Sequence, residues 1–548
     1  MTKKPRVSLQ DSSSEIDELL KEEDVLETRH AFLATELAQV RRKISGIRSK
    51  RNGIQNRNNP LLNLPNEVTC IIFDYALAVS ASWHESTRLP LFEVVASHVC
   101  RHWRSAALNY PRLWAHFRPG SKSSSLSSER FDAYLERSAS SGLELWFKFS
   151  NGDNLEDFTV LLQKAMSHMQ RWRRFSLFAD HRFPALDVFA AMETVSVPML
   201  EHFAFCAPSK NMSIDFRNGP PSLKPTVFKS GAPNLISAAL NLTGYFPCMP
   251  PLKNITTLHL RGRSYVRGRE STSHIHRDIL SLPFLVNLSI IGVIYEYNEP
   301  ESGEKPITVP YLKHLCLTRA MEFLFLLPFM RAPSLETLIV RGVLPATFAA
   351  QALESNTLMS DLYIFPVLHS VCCIDVFAHS TASTWQFAKM TANASEITFC
   401  NTNARRCPYS ESFFAFLADC SVLKEKEMLW KKVKVLTFDI DTSDLDGLLR
   451  FFKKRPKRSV ILRLSDTANS RLKASSESKY AELAESYKLE TLESMRNQLG
   501  ETKLPPSTRD HNIGLFTEEF DPFGGDDSLT NWTDSDAGSH SDFDDDYY

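Results

Sequence analysis

The residues of this chain whose types could support chemistry are few and scattered. His274, His276 and Asp278 bring three potential metal-ligating side chains close together in sequence. No further ligand follows at the spacing that closed or catalytic zinc sites use, so the segment reads as a solvated loop. Cys372 and Cys373 sit in the apolar run HSVCCIDV, and a buried strand accounts for them better than a redox pair. The chain holds ten cysteines with no CxxC pair and no Cys/His cluster, which reads as reduced and mostly buried thiols. The phosphate-binding GxxxxGK[ST] loop, the dinucleotide-binding GxGxxG turn, the HExxH zinc helix and the GxSxG nucleophile elbow are all missing. The expectation is a protein with no catalytic residues, no metal and no cofactor, whose function is binding.

Two charged segments bear on that function. Lys453, Lys454, Arg455, Lys457 and Arg458 form a basic run that reads either as a nuclear import signal or as cations at the end of a helix beginning near Leu445, where they complement the helix dipole. Aromatic residues are not interleaved with basic ones over a wide face, so nucleic acid is not an expected partner. After Arg509 the chain has no lysine or arginine and is rich in Asp and Glu; a disordered acidic tail over 501–548 is expected. In it Ser535 and Ser541 stand beside aspartates, as phosphate acceptors or as part of a solubilising tail. The first residues, 1–15, are polar and expected to be disordered, and they form no secretory signal. The densest apolar run, FLFLLPFM, falls well short of the roughly 20 residues that span a bilayer. The expectation is a soluble protein of the cytoplasm, the nucleus or both, with no membrane partner.

Elements must position whatever binds. At 548 residues, 43% hydrophobic and 23% charged, the chain has ordinary globular composition and more length than one core usually serves. Its net charge of −1 averages a basic N-terminal third and an acidic end, so it points to no partner by itself. From Ile16 a seven-residue step carries Leu19, Leu26, Leu33, Val40, Ile47 and Ile54, while the companion row alternates between aliphatic Ile16, Leu37, Ile44 and polar Glu23, His30, Arg51. That pattern predicts a helix over 16–57, either a short coiled coil that self-associates or a lone amphipathic helix folded onto the body.

A compact helical unit follows over 61–117. Pro65 and Asn66 stand where a helix begins, with Val68, Ile71, Ile72 and Tyr75 at helical spacing after them. A second helix is expected over 91–108, with Val95, Val99, Trp103 and Ala106 on one face, followed by Leu113 and Trp114. The ordered anchors Leu64-Pro65-x-Glu67-Val68, Ile71-Ile72-Phe73, Val99-Cys100-Arg101-x-Trp103-Arg104 and Leu113-Trp114 resemble the F-box motif, and the region looks like the F-box-like proteins abundant in mushroom-forming fungi. Between the two helices VSASWHESTRLP, residues 79–90, replaces the short turn that many F-boxes carry. A unit this small cannot bury all its apolar side chains, so an exposed apolar patch is expected.

Beyond the polar linker GSKSSSLSSE, helices and strands alternate: helix at FDAYLERSAS, strand at Leu143–Phe149, helix at LEDFTVLLQKAMSHMQ, strand at WRRFSLF. The pattern Pro-x-Leu-x-x-Leu-x-apolar then recurs in VPMLEHFAF, PPLKNITTLHLRG, LPFLVNLSIIG, VPYLKHLCLTR and APSLETLIVRG. Its intervals are uneven, and the closing Asn of leucine-rich repeats is mostly missing. An irregular leucine-rich-repeat-like solenoid over 130–500, with a parallel sheet and inward-pointing leucines, is expected, ending in a helix, a strand at SVILRL and a long helix around YAELAESYKLETLESMRNQ. The fold class is therefore α/β.

The resemblance implies that Leu64, Pro65, Glu67, Val68, Ile71, Ile72, Val99, Trp103, Leu113 and Trp114 dock a Skp-type adaptor within a cullin ubiquitin-ligase complex. The repeats would hold a target protein. The alternative is a repeat scaffold that recruits no ligase, in which the same residues are the core of a helical cap.

Overall fold

The computed structural model describes residues 9–56, 59–82, 91–117, 128–149, 154–179, 185–206, 223–242, 248–262, 273–291, 307–318, 327, 330–341, 365–374, 387–400, 430–439, 446, 449, 455 and 459–492. The chain forms two compact units, one from Met1–Tyr75 with Ala96–Leu108, the other from Ala76–Val95 with Asn109–Tyr548. The acidic tail lies outside the described residues. Among the described residues no helix is long and apolar enough to cross a membrane.

The first unit is helical. Helix α1 runs Leu9–Asn56, about 72 Å at 1.5 Å per residue. Every side chain from Ile16 to Gln55 is exposed.

A 3-10 turn at Pro60–Asn63, capped by the Asn59 side chain, leads into α2, Asn66–Ser82. The Pro65 carbonyl accepts from the Thr69 amide at 3.1 Å and so takes the first bond of this helix, with Glu67 in its positive first turn. The helix continues into the segment expected to be an insertion; residues 83–90 lie outside the described ones. The single helix expected over 91–108 is instead two, α3 at Phe92–Val99 and α4 at Arg101–Leu108. The break has a local cause. Cys100 Sγ accepts from the Trp103 amide at 3.4 Å, standing in for a capping oxygen, and Arg104 Nε donates to the Ser97 carbonyl at 2.7 Å, satisfying the end of α3. Val99 and Trp103 therefore do not continue one helical face.

The second unit is mixed α/β and built on a sheet of 14 strands, every neighbouring pair parallel, in the order of the chain. The strands are β1 His116–Phe117, β2 Leu143–Phe149, β3 Trp172–Ala179, β4 His202–Cys206, β5 Ser237–Leu242, β6 Thr257–Gly262 and β7 Asn287–Ile291. After β8, Ile307–Thr308, come β9 His314–Thr318, β10 Met330–Arg331, β11 Thr337–Arg341, β12 Ser370–Ile374, β13 Glu396–Cys400, β14 Val435–Asp439, β15 Ile461–Ser465 and β16 Lys488–Leu492. Strands β8 and β10 pair with each other in a separate small sheet. Described helices between strands are α5 Ser128–Arg137, α6 Leu155–Met166, α7 Ala185–Met192, α8 Ser273–Leu280, α9 Asp466–Ser475 and α10 Glu477–Ser486.

Because side chains alternate along a strand, two in-register rows face the core: Leu145, Phe175, Phe203, Ala238, Leu258, Leu288 and onward to Leu462, and the row two residues later that includes Phe147, Leu177, Leu240 and Leu260. The recurring Pro-x-Leu is the turn before β4, β5, β6, β7, β9 and β11. Its leucine is buried, as at Leu200, Leu235, Leu312 and Leu335, and the leucine amide closes a one-turn bond to the residue three back at Leu200, Leu235 and Leu335. Successive turns are stitched by side chains: Asn234 Nδ2 donates to the Pro198 carbonyl at 2.7 Å, Asn254 Nδ2 to Pro233 at 2.8 Å and Ser334 Oγ to Pro310 at 2.7 Å. These hydrogen bonds tie one turn to the next.

The structure departs from expectation at both ends of the sheet. His116 and Phe117, expected to close the helical unit, pair with Glu144 and Leu145 and start the sheet, because Phe117 buries against Phe131 and Phe147. At the other end the expected long helix stops at Ser486, and Lys488–Leu492 forms the last strand, pairing Leu489 with Leu462. Sheet pairing overrides the helical propensity of KLETL there.

Candidate functional site

The ten residues expected to meet a partner fall into two groups. On α2, Val68, Ile71 and Tyr75 share one face by their spacing and all are exposed, Ile71 at 54% and Tyr75 at 73%. Pro65, Glu67 and Val99 are exposed too, while Leu64, Ile72 and Trp103 are half-buried. The opposite face of α2 is anchored within the first unit by Thr69 and by Phe73, whose ring meets Trp103 edge-to-face at 5.3 Å. Trp103 packs on Phe73 and keeps part of its surface open, while the more exposed apolar side chains lie on α2 and at the end of α3. Tyr75, part of the apolar repeat but outside the ten, is the most exposed of the three on that face; the i, i+3, i+7 spacing from Val68 is the signal that marks it.

Leu113 and Trp114 offer no surface. Both are buried in the second unit, where Trp114 packs edge-to-face on Tyr134 at 5.3 Å beneath the Arg137 guanidinium at 4.3 Å. Tyr134 in turn donates from its hydroxyl to Glu93 Oε1 at 2.5 Å, and Glu93 is a buried carboxylate that the sequence pattern did not single out. Burial, together with Glu93, drives the Tyr134 phenol far above its usual range. Tyr134→Phe removes a donor from a buried carboxylate and is expected to cost about 1–3 kcal/mol in urea unfolding, with part of the loss recovered by Tyr134→Phe/Glu93→Leu.

The sheet's other face carries a polar row in register: His116, Glu144, Arg174, His202, Ser237 and Thr257. His116 Nδ1 lies 3.0 Å from Glu144 Oε2, and Arg173 Nη1 lies 3.5 Å from Oε1. Burial would raise the Glu144 pKa, but the hydrogen bond and charge of His116, with Arg174 and Arg173, outweigh it and hold the carboxyl down at about 2. His202 Nδ1 and Ser237 Oγ are 2.9 Å apart; burial, reinforced by Arg174, pushes the imidazole down to about 3. This row holds a His116–Glu144 contact and a His202–Ser237 contact along the sheet. No sequence signal marks it, because its members stand roughly 20 to 35 residues apart and meet only through strand register.

His274, His276 and Asp278 lie on α8 rather than in a loop. Among the described residues no group of three or more His, Cys, Asp or Glu is placed to hold a metal ion. Cys372 and Cys373 are buried thiols in β12, and burial pushes Cys373 up to about 12, far from a reactive thiolate. Arg455, the centre of the basic run, is buried and donates from Nη1 to the Trp430 carbonyl at 2.9 Å; its neighbours in the run lie outside the described residues.

No family model matches this chain, and no curated protein or solved structure matches it either.

Proposed function

We propose that the chain is a substrate-recruiting adaptor of an SCF-type (Skp, cullin, F-box) ubiquitin ligase and not itself an enzyme. In this reading residues 61–117 are an F-box-like domain that docks a Skp-type adaptor, and through it the cullin complex. Residues 130–500 are an irregular leucine-rich-repeat-like solenoid that holds the target protein. The chain would act in the cytoplasm, the nucleus or both, with the 16–57 helix available for self-association and no nucleic-acid or membrane partner. Its contribution is proximity, which raises the effective concentration of target lysines near the conjugating enzyme.

The observation that carries the reading is the exposed apolar face of α2, Val68, Ile71 and Tyr75, directly after the Leu64-Pro65-x-Glu67 entry that resembles the F-box. Exposed apolar side chains grouped on one helix face mark a partner surface. The second half of the reading is supported by parallel strands that follow the order of the chain and by recurring turns that each bury a leucine, at Leu200, Leu235, Leu312 and Leu335.

The test is co-expression and pull-down with a Skp-type adaptor. Ile71→Asp/Val99→Asp alters two side chains that are each 54% exposed, so the fold is expected to survive while adaptor affinity falls at least about 100-fold. A folded wild type that captures no adaptor overturns the ligase reading. It leaves the repeat scaffold, with the segment at 79–90 as the element that blocks docking.

A further inference from the structure

The stripe on α1 is a longer unpartnered apolar surface than that on α2, and its charges say what covers it. In heptad notation the d positions are Leu19, Leu26, Leu33, Val40, Ile47 and Ile54, all aliphatic and all exposed. More than five heptads of this pattern exceed the three to four that make a coiled coil. The helix is also divided by charge. Between Asp17 and Glu27 there are six carboxylates and one lysine, a net of −5, whereas between Arg41 and Arg51 there are six cations and no carboxylate, a net of +6.

We infer that α1 pairs with α1 of a second copy as an antiparallel two-stranded coiled coil. The inference deepens the proposed self-association of 16–57 and is independent of ligase docking. Antiparallel pairing brings the acidic half of each helix onto the basic half of the other, while parallel pairing stacks like on like.

The seam leads to the same orientation. In a parallel pair each a position faces its own copy, so Glu23 meets Glu23, His30 meets His30 and Arg51 meets Arg51. In an antiparallel pair with full overlap each a faces a d, and those three residues meet Ile47, Val40 and Leu19 in turn. No polar layer then faces another polar layer, and the long stems of Glu23 and Arg51 lie along aliphatic side chains with their heads at the solvent edge.

Flanking positions add to this. The antiparallel register sets Glu22 against Lys50 and Glu27 against Arg41, each twice in the dimer, at the cost of Arg29 near Lys43 and Glu36 near its own copy. The parallel register gains only Glu36 with Arg41, and opposes Glu22 to Glu27 and Lys43 to Arg48. Like charges so placed are destabilising.

The test uses the full chain. Wild type is expected to show twice the monomer mass by light scattering. Leu26→Cys and Ile44→Cys occupy a d and an a position that face each other only in the antiparallel register. Under mild oxidation a refolded mixture of the two variants is expected to form covalent dimer at least about tenfold more efficiently than either variant alone, with wild type as the baseline for the native thiols. Covalent dimer formed as readily by either variant alone overturns the inference in favour of a parallel pair. A dimer that gives no covalent product in the mixture overturns the register, and a monomeric wild type overturns self-association itself.

Discussion

Phe175→Ala is expected to destabilise the sheet-bearing unit by about 3–5 kcal/mol in chemical unfolding, the range for removing a buried aromatic ring from a packed core. Phe175 is fully buried on β3 and stacks on Trp172 at 4.1 Å and 10°, meets Phe203 on the next strand at 6.0 Å and Phe147 on the previous one at 6.0 Å. Residues three apart on a regular strand point to opposite faces, yet Trp172 and Phe175 stack. The register shift beside Leu143 and Glu144 explains it: Trp172 pairs with Leu143 and Arg174 with Glu144, so Arg173 is the extra residue of a bulge and restores both rings to the core side. Loss of the ring leaves a cavity bordered by three aromatic residues on three strands. Met199→Ala, at a side chain 41% exposed, is the control and is expected to change stability by no more than about 0.5 kcal/mol. A Phe175→Ala cost below about 1 kcal/mol would show that the aromatic stack does not hold this part of the sheet together.

The same bulge illustrates what could be read in the sequence and what could not. Strand β2 was legible to the residue because Leu143, Leu145, Phe147 and Phe149 alternate with polar or half-exposed neighbours in a period-two pattern. The Pro-x-Leu turns were legible because each leucine enters one core at one geometric position. The split at Cys100 was not, since a thiol serving as a helix cap leaves no compositional trace. Strand β16 was misread because KLETL carries helix-forming residues, and only the free edge of β15 makes the extended form favourable.

The candidate surface was legible in the same uneven way. Val68 and Ile71 were recognisable as an apolar face following a helix start, and they are exposed. Leu113 and Trp114 share their apolar character but are claimed by the core around Tyr134, and one-dimensional spacing cannot separate a side chain that meets a partner from one that meets the next helix. The polar row from His116 to Thr257 had no signature at all, because its members become neighbours only once the strands are in register. Separations of this kind are the general reason that polar networks on parallel sheets escape sequence reading.

That row is expected to make the fold acid-sensitive, with His202 dominating the effect above the carboxylate range. Its imidazole is buried, faces Ser237 from the next strand and Arg174 from the previous one, and has Glu144 as the nearest compensating charge. With the folded-state pKa at about 3 against 6.5 for the exposed group, the unfolded chain takes up the proton first. Stability contributed by keeping His202 neutral is thus intact above pH 6.5, declines as pH falls below it, and is fully lost below about 3. Over the whole interval the loss is on the order of 5 kcal/mol, and by pH 5 about 2 kcal/mol. Glu144 adds to it only lower down, because a carboxyl held at about 2 stabilises the fold above 4.5 and releases that stability as pH falls towards 2. His202→Asn keeps a polar atom near Ser237 and has no proton to take up. Urea unfolding of wild type and variant is expected to give nearly equal stability at pH 7.5 and a variant about 2 kcal/mol more stable than wild type at pH 5. Parallel pH profiles for the two proteins would mean that His202 is solvated in the folded state, and would remove the polar row as the source of acid sensitivity.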